Sequence, residues 1–225
     1  IRDRSPSRGL GDVYKRQHVH QSYTQIIALG MICVLVLLGM SCADEPSPSD
    51  TSTGTYESCE GFIDSNMIEN LTGVVGLIER AQTLDSNDIP GLAESGAVNN
   101  CIIEVFRTVG STDEPSPGDS LVIQIVQFET NEQALLLYNS ALASALITTE
   151  QLQEQLGDLA VIQQGLIGSD SYLMDVKTGG IGAMAVYVHE TAFISMSSTA
   201  DSDGKTLLDA GGLTAAAIMV QERLP

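Results

Sequence analysis

Residues Ile26–Met40 form an apolar run, Ile-Ile-Ala-Leu-Gly-Met-Ile-Cys-Val-Leu-Val-Leu-Leu-Gly-Met, without a single charged side chain. At 15 residues it sits at the upper edge of a secretory apolar region and below the roughly 18 to 20 needed to span hydrocarbon. The segment before it is short and basic; the chain after it is acidic and patterned like a folded domain. Small residues, Gly39 and Ser41, stand third and first before Cys42, as a signal peptidase requires. Residues 18–41 therefore read as a signal peptide cut between Ser41 and Cys42, and the fold must be built from the remainder.

The stretch Leu38-Gly-Met-Ser-Cys42 resembles the lipobox of bacterial lipoproteins, in which the cysteine becomes the new N-terminus and carries lipid. The family places Leu three residues before that cysteine, where this chain has Gly39, with Leu38 one step early. Lipid anchoring through Cys42 at the outer face of the cell membrane is the expectation. Plain secretion and an uncleaved single span are its alternatives. Residues 1–17, IRDRSPSRGLGDVYKRQ, resemble a translated sequencing adapter and are set aside from the fold, although Lys15 and Arg16 also suit a basic targeting arm.

Before Ala43 lie five of the ten basic residues, Arg2, Arg4, Arg8, Lys15 and Arg16, and only Asp3 and Asp12 of the 29 acids, so 5 basic and 27 acidic residues remain beyond it, a formal charge of −22. Such a surface repels phosphate backbones, which excludes nucleic acid as a partner. The acidity fits solubility in salt, or attraction of cations or a basic partner protein.

Residues 42–57 combine the acylated cysteine with a Ser-, Thr-, Pro- and Asp-rich tether that has almost nothing to bury. Residues 58–225 then suffice for one extracytoplasmic domain with its own core. Cys33 belongs to the leader and Cys42 to the processing site, which leaves Cys59 and Cys101. In an oxidising compartment these read most simply as one disulfide; two buried thiols or a metal site are the alternatives.

Helix and strand signals alternate through the domain. Asp64 or Ser65 caps a short helix through Leu71 with Ile68 and Leu71 inward, and Val74–Leu84 reads as a second. Residues 85–96 read as a loop. Cys101–Val109 and Leu121–Phe128 alternate as a hairpin joined by the acidic loop 110–120, with Ile103 and Val105, and Leu121, Ile123 and Ile125, inward. Thr130-Asn-Glu-Gln133 is a capping box opening a helix with Leu135, Tyr138, Leu142 and Ala145 on one stripe, and Thr148-Thr-Glu-Gln151 announces a shorter helix carrying Leu152, Leu156 and Leu159. Strands come next at 172–177, 183–189 and 191–197, the first two joined through Thr178-Gly179-Gly180. Asp203 opens a last helix with Leu213, Ala217, Val220 and Leu224 inward. The sum is α+β: an antiparallel sheet of about five strands with helices packed against it.

The order of Cys59 before a short helix, Cys101 leading the first strand, Leu156-Gly-Asp-Leu-Ala160 in mid-domain and a terminal helix ending Glu222-Arg-Leu-Pro225 resembles small exported lipoproteins of Gram-positive bacteria, and the extracellular sensor domain that some membrane serine/threonine kinases share with them. The resemblance implies an antiparallel sheet backed by helices, a disulfide between the two cysteines and a cleft for an unidentified ligand. Those relatives often place an aromatic just after the second cysteine, where this chain has Ile102 and Ile103 and no Trp.

Chemistry is sparse. His189 is the only histidine after the leader and reads as a strand-end polar residue rather than a general base. Gly179-Gly180-Ile-Gly182 lacks the Lys-Ser/Thr ending of a phosphate loop and reads as a turn or bulge. Asp201-Ser-Asp203-Gly204 has part of a calcium loop without its terminal Glu. Asn70-Leu-Thr72 matches a glycosylation sequon that a bacterial lipoprotein leaves unused, and Asp170 with Asp175 is a carboxylate pair any acidic domain offers. No cofactor is implied. The expectation is a non-enzymatic ligand-binding or sensing module with a cleft lined by Met174, Met184, Tyr187 or Met196. The alternatives are an assembly lipoprotein presenting an acidic face, and a hydrolase.

Overall fold

In the stretch after Cys101, every second side chain is Ile or Val and those between are Ile, Glu and Phe, a pattern that only a pleated strand can sort onto two faces. The structure, a computed structural model, describes residues 59–85, 89, 91–108, 115–178, 180 and 182–224. Its elements are helix α1 (Ser65–Thr72), strands β1 (Ile78–Leu84), β2 (Ala97–Thr108) and β3 (Pro115–Phe128), helix α2 (Asn131–Leu156), strands β4 (Ala160–Gln164), β5 (Ser171–Val176), β6 (Gly182–His189) and β7 (Ala192–Ser198), and helix α3 (Ala210–Gln221). The described strands form one antiparallel sheet in the order β1-β2-β3-β7-β6-β5-β4.

The sheet is covered on both faces. On one, α1 and α3 bury Ile68, Leu213, Ala216, Ala217 and Val220 against Ile103, Ile123, Ile125, Ala185, Tyr187, Ile194 and Met196. The Cys59–Cys101 disulfide lies in this layer, with the two Cα atoms 5.4 Å apart. On the other face α2 packs Ala134, Leu137, Tyr138, Ala141 and Ala145 onto Val126, Phe128, Tyr172, Val186 and Phe193. Leu152 and Leu156 close the end of that layer over Ala160, Met174 and Val176.

Several sequence expectations hold. Asp64 caps α1 by accepting the Met67 N–H at 2.9 Å, and Thr130 and Gln133 form the reciprocal capping box of α2. The cysteines are joined, so the thiol and metal readings fall.

Others are corrected. The sheet has seven described strands rather than about five, because β1 falls where the sequence reads as helix and β4 where no strand is expected. Residues 78–84 carry no helical apolar stripe, and as a strand they satisfy the outer backbone groups of β2 from Asn100 to Phe106. Cys101 accordingly lies inside the second strand instead of leading the first. Residues 115–120 of the expected loop extend β3, whereas Val109 and residues 110–114 lie outside the described residues. The helix break expected at Thr148 does not occur: the Thr149 hydroxyl donates to the Ala145 carbonyl at 2.7 Å, turning back into the helix instead of capping a new one. Leu159 falls in a short 3-10 turn after α2, and Leu135 and Leu142 are only half-buried. Leu71, expected inward, is exposed at the end of α1. Asp203 does not open the last helix, because Asp209 does, accepting the Gly212 N–H at 2.8 Å.

Candidate functional site

Register across β1, β2, β3 and β7 aligns Gln82, Ile102, Gln124 and Ser195 in one row and Arg80, Glu104, Val122 and Ser197 in the next. These side chains share the face on which α2 packs, but α2 runs over β3, β7, β6, β5 and β4 rather than over β1 and β2. Ile102, Glu104, Val122, Gln124, Ser195 and Ser197 are consequently half-buried, neither sealed in the core nor fully solvated. Gln124 Nε2 donates to Asn100 Oδ1 at 3.2 Å. Asn100 is itself fully buried, and its Nδ2 has no hydrogen-bond partner among the described residues. Arg80 Nη1 lies 3.3 Å from Glu104 Oε2, and its guanidinium sits 5.1 Å from the centre of the Phe106 ring. The result is a platform of amides, hydroxyls and one ion pair on an apolar floor, suited to reversible hydrogen bonding with a polar ligand.

A second feature is an open groove of about 230 Å³ between the end of α1 and the start of α3, lined by Leu71, Thr72, Thr206, Leu207, Leu208, Asp209 and Gly212. A third lies at the end of the sheet where β3 begins. Asp119 is buried between Arg107, which donates to Oδ2, and Lys205, whose Nζ is 3.7 Å from Oδ1. This pins the loop after β7 to the β2–β3 hairpin. Asp201 shapes the same loop by accepting the N–H groups of Asp203 and Lys205, each at 2.9 Å.

Burial, and then the Asp170 carboxylate, push the Tyr138 phenol up; burial, and then Tyr138, push up Tyr172, and burial alone raises Tyr187. All three are therefore neutral hydrogen-bonding groups at ordinary pH. Tyr187 donates to the Ala217 carbonyl at 3.1 Å, fixing α3 on the sheet.

Cys42, the leader and the tether lie outside the described residues. The four residues expected to line one cleft are divided between layers. Tyr187 and Met196 are buried under α1 and α3, while Met174 and Met184 face α2, so strand alternation makes them core rather than a pocket. His189 ends β6, where its Nδ1 is 3.0 Å from Gln221 Nε2. Gly182, at φ 95°, opens β6 where a side chain would overlap the Ser198 carbonyl, a close-approach role rather than a phosphate loop; Gly179 and Ile181 lie outside the described residues. Among the described residues no group of three or more His, Cys, Asp or Glu is placed to hold a metal. The Asp170 carboxylate takes the Ser169 hydroxyl and Asp175 faces Lys177 at 3.9 Å, so each has its own neighbour. Asn70 is exposed at the end of α1, and Thr72 donates back to Ile68. Sequence reasoning misses the platform and the buried Asp119. Their only signal is polar residues alternating with an apolar series, which reads equally well as a solvated face.

The fold is similar to that of the extracellular domain of PknH, a mycobacterial kinase, from Mycobacterium tuberculosis, with a TM-score of 0.51 and 7% sequence identity over 77% of this chain and 97% of that one. No family model matches the sequence, and no curated protein matches it. At that identity the likeness is one of architecture alone: a mixed α and β domain with a large antiparallel sheet. No helix among the described residues is long and apolar enough to cross a membrane.

Proposed function

We propose that the chain is an exported, non-enzymatic sensing or binding module, held at the outer face of the cell membrane by lipid on Cys42. The observation that carries this reading is a fold shared with an extracellular domain and linked internally by the Cys59–Cys101 disulfide, a bond that persists in oxidising compartments. The platform around Gln124, Ser195 and Ser197 is the surface on which a polar small ligand binds, because these amide and hydroxyl side chains lie half-buried beside α2 rather than sealed beneath it. Native mass spectrometry of the full-length protein, gently solubilised from its membrane, tests this. A bound polar molecule that is lost in Gln124→Ala supports it; an unliganded mass, with Cys42 unmodified, refutes it.

One observation favours the assembly reading beside it. The groove between α1 and α3 is open and the cores on both faces of the sheet are filled, so recognition takes place at surfaces, where a partner protein docks as readily as a small molecule.

A further inference from the structure

Helix α2 presents to solvent a face that solvent does not favour. Its exposed positions Glu132, Leu136, Asn139, Ala143, Leu146 and Glu150 recur at alternating spacings of four and three, the periodicity of a seam made for another helix. Leu136 is 66% exposed, Leu146 41% and, beside the seam, Ile147 58%. From Gln133 to Thr149 the helix carries no charge at all, in a chain where 27 acids lie beyond Ala43. A surface helix ordinarily turns charged residues outward, and here charge returns only at the two ends of the apolar stripe. Glu132 and Glu150 bracket it on the same face, 18 positions and so about 27 Å apart.

That bracket selects the occupant. A second copy packed against this seam, parallel or antiparallel, sets glutamate against glutamate at both ends. Antiparallel, Leu136 meets Leu146 and Glu132 meets Glu150; parallel, each acid meets its equivalent. Both arrangements add like-charge contacts to a domain that already repels itself. A bilayer is disfavoured for the same reason, since helices that lie in the headgroup region carry Lys and Arg on the polar face, and α2 has neither. We infer that α2 is a docking face for a partner protein's amphipathic helix, one with an apolar seam and a Lys or Arg at each end of it, about 18 residues apart. The acids then steer and register the partner while the apolar stripe supplies the contact. The inference rests on the reading of the domain as a recognition module and names the class of one of its partners.

The test uses full-length protein in nanodiscs and a fluorescent synthetic helix of 22 residues, with leucines at alternating three- and four-residue spacing and lysines at positions 2 and 20. One control peptide carries glutamates in place of the lysines, and a second carries the lysines only eight positions apart. The first peptide is expected to bind at least ten times more tightly than the glutamate peptide and several times more tightly than the closely spaced one, with affinity falling as salt rises from 50 to 500 mM. Leu136→Asp with Ile147→Asp abolishes binding. Glu132→Lys with Glu150→Lys inverts the preference toward the glutamate peptide. Far-UV circular dichroism and a cooperative thermal unfolding transition verify that each variant is folded. Equal binding of all three peptides, no inversion in the charge-swapped variant, self-association through the stripe in sedimentation, or stripe-dependent binding to vesicles each overturns the inference. Failure to find a co-purified small ligand bears on the platform and leaves this result standing.

Discussion

Reducing the Cys59–Cys101 bond gives the clearest test of how this domain is held together. The link spans 42 positions, and closing a loop of that length in the unfolded chain is worth about 4 kcal/mol at 25 °C in the chain-entropy treatment. Both cysteines are buried, and reduction deletes no side-chain heavy atom, so the comparison of oxidised and reduced wild-type protein avoids the cavity that a cysteine substitution would add. With a urea m-value of about 2 kcal/mol/M for a domain of this size, the midpoint should fall by about 2 M. The m-value itself should rise, because the unlinked denatured chain exposes more surface. Urea titrations followed by far-UV circular dichroism, with and without a reductant, measure both. A loss below about 1 kcal/mol with an unchanged m-value would refute the reasoning. So would hydrogen exchange showing that reduction frees only β1 and α1. The first result means that the β1–β2 ladder and the bonds between Cys59 and Thr83 already hold the first segment to the sheet; the second means that the link holds that segment alone and the rest of the domain stands without it.

Gly182→Ala should destabilise by roughly 3 kcal/mol, because the added carbon meets the Ser198 carbonyl in a backbone conformation already unfavourable to side chains, and thermal unfolding measures the loss. Asp119→Asn removes the charge held between Arg107 and Lys205; because both cations are largely solvated, the expected cost is about 1 to 2 kcal/mol, with increased exchange of the 201–205 amides. Tyr172 and Tyr187 ionise later in the fold than in the unfolded chain, so their contribution is fully present below the unfolded value of about 10 and is lost as pH rises through the folded one. Stability measured by urea titration should therefore drop above about pH 10, less steeply in Tyr187→Phe, which also loses about 1 kcal/mol at neutral pH with its bond to Ala217.

Much of this fold is legible in the order of residues. The disulfide is read from counting cysteines, and the capping residues and alternating apolar positions mark α1, α2, β2, β3, β5, β6 and β7. Local chemistry writes these features because each depends on residues a few positions apart. What only the tertiary structure decided is everything whose cause lies elsewhere in the chain. Residues 78–84 are a strand because β2 has an open edge to fill, and Thr148 fails to start a helix because Thr149 finds the Ala145 carbonyl. Met174 and Tyr187, alike as apolar residues in the sequence, belong to different cores because Tyr187 pairs with Ser171, three positions from Met174, and successive side chains of a strand point to opposite faces. The polar platform beside α2 and the apolar stripe along its back arise from the same fact. One helix is too narrow to cover a seven-stranded sheet, and its outward face is set by which residues the sheet takes first.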